Sequence, residues 1–217
     1  MAFSTEQNTL ITSALALDVA LSEEHSGQLL RLLDELMKWN RTHNLTAITK
    51  REEMITHHLL DSLSVNAALE GETVADVGTG AGFPGLPLAV VNPKRAFTLI
   101  DSNNKKVRFV AHAARTLGLS NVAAVHARAE APRVGKPFDT VVARAFAALP
   151  ELLEKVAPLC GPRTRVLAMK GKRPDDEVAA VPAIWKVIET RALTVPGLNA
   201  ERHLVILQQT DAAPAAC

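Results

Sequence analysis

The stretch Asp76-Val77-Gly78-Thr79-Gly80-Ala81-Gly82-Phe83 constrains this chain more than any other. It follows an apolar run, Thr73-Val74-Ala75, that reads as a strand. It precedes Pro84 to Val91, which reads as a helix with proline in its first turn. Strand, glycine loop and helix in that order lay out a nucleotide site, because glycines permit the tight turn and let backbone approach a ligand closely. Their spacing then separates ligands. A dinucleotide fingerprint, Gly-x-Gly-x-x-Gly, requires glycine at position 83, where Phe83 stands.

The 217 residues, 47% hydrophobic and 22% charged, are enough for one α/β domain of about 150 residues with a smaller extension. A net charge of +1 rules out a polycation, so any nucleic-acid binding must rest on local patches. Tyrosine is absent and aromatics are 4%, so stacking platforms for single-stranded RNA are scarce. The two cysteines, Cys160 and Cys217, give no disulfide framework, which fits a reducing, cytoplasmic setting. The first residues lack a basic and then apolar leader, and no apolar run reaches about 18 residues, so neither a signal peptide nor a membrane span is expected. No extended apolar stripe calls for a partner subunit, and a monomer is expected.

The first seventy residues read as helices. Ser4 with Gln7 forms a capping box for the first, and Ser22 caps the second, where Leu29, Leu33, Leu36 and Met37, with Leu30 beside them, recur at helical spacing. Thr49 with Glu52 predicts a capping box for a third helix, with Ile55, Leu59 and Leu63 on its buried face and Gly71 at its end. Trp39 to Thr46 reads as a polar loop between the last two. From Thr73 onward strands and helices alternate. Strands are expected at Ala96–Ile100, Val122–Val125, Phe138–Ala143, Arg165–Met169, Val187–Leu193 and Leu204–Leu207. Helices are expected around Val107–Leu117, Leu149–Leu159 and Asp175–Ile184. The pattern implies a seven-stranded, mostly parallel sheet with helices on both faces, and an antiparallel last strand because no helix separates the final two. The domain division is then 1–70 as a helical cap, 71–210 as the nucleotide-binding domain, and 211–217 as a disordered tail.

Several residues fall where such a fold puts chemistry. Asp101 ends the second strand and is either a hydrogen-bond acceptor for ribose hydroxyls or a cap for the next helix. Ala129-Glu130 follow the third strand, where a backbone amide and a carboxylate can read an adenine edge. Arg144 ends the fourth strand among apolar neighbours and needs a partner: Asp76 or Glu130, a ligand carboxylate, or an RNA phosphate. His57, His58 and Asp61 share a helix. Adjacent histidines point about 100° apart and no cysteine is near, so a hydrogen-bonded buttress or RNA contact is preferred to a metal site. Lys38 with Arg41, Lys50 with Arg51, Lys105, Lys106 and Arg108, and Lys170, Lys172 and Arg173 are basic clusters, read either as solvated surface or as phosphate contacts. No Asn/Asp-Pro-Pro-aromatic box follows the fourth strand, which argues against amino-nitrogen methylation. Cys160 lies before the fifth strand, away from any attack position.

An acidic residue two places before three alternating glycines resembles the loop of S-adenosylmethionine (SAM)-dependent methyltransferases. Over nearly the whole chain the sequence resembles the small-subunit ribosomal RNA methyltransferase G family (RsmG, also called GidB). The resemblance runs through Lys38-Trp39-Asn40 with Asn44-Leu45-Thr46, His58-x-x-Asp61-Ser62, and the glycine loop with Phe83-Pro84-Gly85. It continues through Asp101-Ser102 with Lys105 to Phe109, Arg144-Ala145-Phe146, Lys170-Gly171 and Glu201-Arg202-His203-Leu204. It implies a SAM-dependent Rossmann-like fold and methylation of N7 of a guanine in 16S rRNA of the small subunit, without metal. It places cofactor contacts at Gly78, Gly80, Gly82, Phe83, Asp101, Ala129, Glu130 and Arg144. RNA contacts are expected at Lys38, Arg41, His43, Asn44, Lys105, Lys106, Lys170, Lys172 and Arg202. No dedicated base is required, since guanine N7 carries an in-plane lone pair; Arg144, His58 and Asn44 are the candidates for positioning the acceptor. One departure is Ala143, where many members carry serine. Rival readings are a methyltransferase for a small molecule, which predicts an apolar lid rather than the polar, basic segment here, and a non-enzymatic SAM-binding assembly factor.

Overall fold

The computed structural model describes residues 4–130 and 135–210. The expected tail, with Cys217, lies outside the described residues. The sheet has seven strands: β1 (Thr73–Val77), β2 (Ala96–Asp101), β3 (Val122–His126), β4 (Thr140–Arg144), β5 (Arg165–Lys170), β6 (Trp185–Ala192) and β7 (His203–Gln209), in the order β3-β2-β1-β4-β5-β7-β6. The first five strands are parallel to one another, and β7 is antiparallel to both β5 and β6. The strand order reverses between β1 and β4, and an open sheet of this kind binds ligands at the carboxyl ends of the strands at that point.

Side chains alternate across each strand, so each central strand feeds two cores. Val74, Leu99, Val142 and Leu167 point to the face covered by α1 (Thr5–Leu15), α2 (Glu23–His43), α3 (Arg51–Met54), α4 (Asp61–Leu63), α5 (Gly85–Val91) and α6 (Asn104–Leu117). Ala75, Ile100, Val141 and Val166 point to the other face, covered by α7 (Leu149–Val156), with α8 (Asp175–Ala179) packed against α7. The N-terminal helices therefore share a continuous core with α5 and α6: Leu10, Leu29, Leu33, Leu36, Leu86 and Phe109 are all sealed from solvent.

The differences from the sequence reading have local causes. Ser4 accepts from the Gln7 amide as expected, but the Gln7 side chain turns to Ser26 Oγ at 2.9 Å instead of closing a capping box, which ties α1 to α2. The segment Trp39–His43 is helix, not loop; α2 runs on until Asn44 takes a left-handed conformation at φ +50°. The helix after the loop starts at Arg51 from Lys50 with no side-chain cap, so the Thr49–Glu52 box does not form. It passes through a π-helical segment, Ile55–Leu60, before α4, and ends well before Gly71. α8 stops at Ala179, short of Pro182, and β6 begins two residues earlier than expected, at Trp185. No helix among the described residues is long and apolar enough to cross a membrane.

Candidate functional site

Asp76 organises the glycine loop from below. It is fully buried, and its Oδ2 accepts from Thr79 Oγ1 at 2.6 Å and from the Gly85 amide at 2.8 Å, so one carboxylate pins both ends of the loop. Burial pushes its pKa up to about 6, and its Oδ1 has no hydrogen-bond partner among the described residues. Glycine at 85 is a packing requirement, since a Cβ there would lie 2.7 Å from that same Oδ2. Gly78 has a different reason. It turns at φ +68°, and a Cβ would sit 2.4 Å from the Phe146 ring, so the chain after β4 closes directly over the loop.

Above the loop lies a cleft of about 770 Å³, bounded by Gly78, Asp101, Ser102, Ala129, Glu130 and Phe146, with Lys106, His126 and Lys155 at its walls. Asp101 is buried. Its Oδ2 accepts from the Gly80 amide at 2.9 Å and its Oδ1 from the Asn103 amide at 2.8 Å. The helix cap is Asn103, whose side chain takes the Lys105 amide, so Asp101 holds the glycine loop rather than capping α6. Each of its oxygens retains a lone pair for a ligand hydroxyl. His126 Nε2, 3.0 Å from the Ser102 carbonyl, ties the end of β3 to the turn after β2.

A second cleft of about 400 Å³ opens beside the first, between the N-terminal helices and the ends of β4, β5 and β7. Its walls include His57, His58, Asp61, Arg144, Lys170 and Arg202, with Ile48 and Met169 as apolar surface. Arg144 pairs with neither Asp76 nor Glu130. Its Nη1 donates to Asp61 Oδ2 at 3.0 Å and to the His57 carbonyl at 2.8 Å, and its guanidinium lies 5.7 Å over the Phe83 ring. The π-helical segment makes this contact possible. The Asp61 amide is spent on the carbonyls of Thr56 and His58, and the His57 carbonyl turns out to the arginine. The other oxygen of Asp61 accepts from Arg202 Nε at 2.8 Å. Neither histidine bonds to Asp61: His57 Nδ1 meets the Glu53 carbonyl and Thr56 Oγ1, and His58 Nε2 meets Thr46 Oγ1 at 3.0 Å. His58 stacks on Phe83, centroids 4.6 Å apart, and burial, reinforced by the charge of Arg144, lowers its pKa to about 4.

The structure thus gathers Gly78, Asp101, Ala129, Glu130 and Lys106 at the first cleft, and His58, Arg144, Lys170 and Arg202 at the second. Phe83 is buried behind the second cleft; Gly80 and Gly82 serve the loop's backbone, the latter packed on Leu86. Lys170 donates to the Ala147 carbonyl and Glu177 at 2.6 and 2.7 Å, and so also braces the turn after β4. Lys38, Arg41, Asn44, Lys105 and Lys172 are exposed outside both clefts; Lys38 pairs with Glu35, and His43 packs on Trp39. Arg51 is consumed by Glu6 and Asp34. Cys160 lies away from both clefts, and burial pushes its thiol up to about 12. Among the described residues no three His, Cys, Asp or Glu side chains are placed to hold a metal.

Two residues have roles that the sequence reading did not describe. Asn40, part of the motif Lys38-Trp39-Asn40, bonds both the amide and the carbonyl of Thr46 at 3.0 Å, and so sets the hydroxyl that meets His58. Ala145 borders both clefts, is exposed, and sits at φ +50°, a strained conformation for a residue with a Cβ. Its turn sends Arg144 to one cleft and Phe146 to the other.

Sheet order, glycine loop and an acidic residue ending β2 together define a Rossmann-like methyltransferase. The fold is similar to TrmN from Thermus thermophilus (TM-score 0.57, 21% identity, 72% of this chain and 53% of that one). It is also similar to a SAM-dependent methyltransferase from Aquifex aeolicus (TM-score 0.54, 20% identity, 74% and 94%). In sequence, the model of the GidB family, rRNA small subunit methyltransferase G, matches residues 25–205. The chain is 46% identical over 205 residues to the ribosomal RNA small subunit methyltransferase G of Nitrosococcus oceani, covering 94% of this chain and 96% of that protein. The chain belongs to the rRNA small subunit methyltransferase G family.

Proposed function

We propose that this protein transfers the methyl group of SAM to N7 of a guanine in 16S rRNA, with the cofactor in the larger cleft, the base in the smaller, and the two meeting at Ala145. The observation that carries this reading is the shared border: an exposed alanine, lacking bulk, separates a polar nucleoside-sized cleft from one lined by cations and apolar surface. A volume of about 770 Å³ suits a ligand of SAM's size. The residues fit it as well. Gly78 leaves backbone exposed under Phe146, Asp101 offers acceptor capacity to a ribose diol, and Ala129-Glu130 offer an amide and a carboxylate to adenine. When bound, SAM supplies a methyl group on a sulfonium, already activated for displacement.

The protein's own task is then positional. Guanine N7 needs no deprotonation, so no residue has to act as a base, and His58, neutral at physiological pH, serves as packing for Phe83 and the Arg144 wall. Ile48 and Met169 give the base an apolar surface. In this reading residues 1–70 act as an RNA-positioning cap on a SAM-binding domain of residues 71–210, because His57, His58 and Asp61 come from the former and Arg144, Lys170 and Arg202 from the latter. The test is incubation with tritiated SAM and either small subunits or naked 16S rRNA. Label in RNA is expected. SAM-bound protein that leaves RNA unlabelled, or labels small molecules instead, would sink the proposal.

A further inference from the structure

The second cleft holds more fixed positive charge than a neutral base needs. Asp61, 2% exposed, gives one carboxylate oxygen to each of two guanidiniums, Arg144 at 3.0 Å and Arg202 at 2.8 Å. Lys170, the other cation of the cleft, is neutralised by Glu177 at 2.7 Å. Two arginines against one aspartate leave one unit of positive charge. Neither arginine is sealed in, with 22% and 21% of their side chains exposed. Arg144 uses Nη1 for its contacts, and Arg202 uses Nε and Nη1, the latter on the Glu201 carbonyl, so each keeps an Nη2 group with two protons to donate. A structural ion pair would be complete with one arginine.

We propose that Arg144 and Arg202, held in fixed relation by Asp61, form a binding site for one phosphate group of the RNA on the acceptor side of the active centre, with Asp61 as the positioning residue. The proposal rests on the reading of RNA as the substrate. Guanidinium suits the role, since its planar fork matches phosphate oxygens and its charge is permanent. The three residues come from α4, the end of β4 and the residue before β7, so a phosphate bound there would join the N-terminal helices to the β4–β7 half of the sheet.

Filter binding of 16S rRNA at several salt concentrations, read without methyl transfer, tests the site. Arg202→Gln is expected to weaken binding about tenfold or more and to reduce the slope of log affinity against log salt by about 0.7 to 0.9, the share of one phosphate contact. Its affinity for SAM should stay within about twofold of wild type. Asp61→Asn separates positioned donors from diffuse attraction. It raises net charge by one, so diffuse attraction would tighten RNA binding, whereas loss of the fixed pair weakens it. An unchanged slope and affinity in Arg202→Gln, tighter binding in a folded Asp61→Asn, or a parallel loss of SAM affinity overturns the proposal; if Asp61→Asn does not fold, Arg202→Gln decides. Wild-type protein that binds RNA with the expected slope but transfers no tritium would refute the reading beneath and leave the anion site standing.

Discussion

Replacing His58 with glutamine should change how stability depends on pH, in a direction the burial of this side chain fixes. The folded protein holds the imidazole near a pKa of about 4, against 6.5 for a free histidine, chiefly because charging it would desolvate an imidazolium against Phe83. Between those values the unfolded chain binds the proton and the folded chain does not, so this group costs stability as pH falls through that window. At 1.36 kcal/mol per unit, the loss between pH 7 and 4.5 is about 2 kcal/mol. Asp76 works oppositely. Its folded pKa of about 6 exceeds the ordinary 3.8, so the folded state takes up its proton first and gains about 2 kcal/mol over the same interval. The two slopes nearly cancel in the wild type. In His58→Gln only the Asp76 slope remains, while carboxylates held low by their partners, such as Glu35 and Asp139, contribute equally to both proteins and drop out of the difference. Urea unfolding followed by tryptophan fluorescence at pH 7, 6, 5 and 4.5 measures it. The stability of His58→Gln relative to wild type should improve by about 2 kcal/mol on acidification. Curves that stay parallel, or an NMR titration placing His58 above pH 6, would refute the argument.

Substitutions at three further positions probe the rest of the site. Ala145→Val places a branched side chain at φ +50° between the clefts and should cut methyl transfer at least about tenfold in steady-state assays, whereas Ala145→Gly, which suits that φ, should retain activity. Asp101→Asn removes an acceptor that holds the Gly80 amide and should weaken SAM binding about tenfold or more by calorimetry, with little change in RNA affinity. Asn40→Ala frees Thr46 from two hydrogen bonds and should cost about 1 to 2 kcal/mol in urea unfolding and lower turnover by displacing the wall of the second cleft.

The glycine loop, the helix expected at Val107–Leu117 and the antiparallel β6–β7 pair were legible because each depends on neighbours in sequence. The place of Asp101 at the end of β2, on the wall of the first cleft, follows likewise from the strand that precedes it. The clamp of Asp61 on Arg144 and Arg202 was not legible, since its partners are 83 and 141 residues away and any of several carboxylates satisfies a lone arginine on paper. Helix ends were misread where a side chain had two options. Gln7 reaches Ser26 instead of closing its box, and α2 runs through Trp39–His43 to stop at Asn44, where the polar composition of Trp39–Thr46 implied a loop. The π-helical segment has no signature in the residues Ile55–Leu60; it is read from where the His57 carbonyl goes.

The central claim, a guanine placed with its N7 toward the methyl donor across Ala145, is tested most directly by locating the methyl group. Small subunits from cells lacking this activity are methylated with the purified protein and SAM, and the 16S rRNA is digested to nucleosides for mass spectrometry. One equivalent of 7-methylguanosine per RNA, lost in Ala145→Val, is the result expected; a methyl group on any other atom, or on another base, would contradict the account.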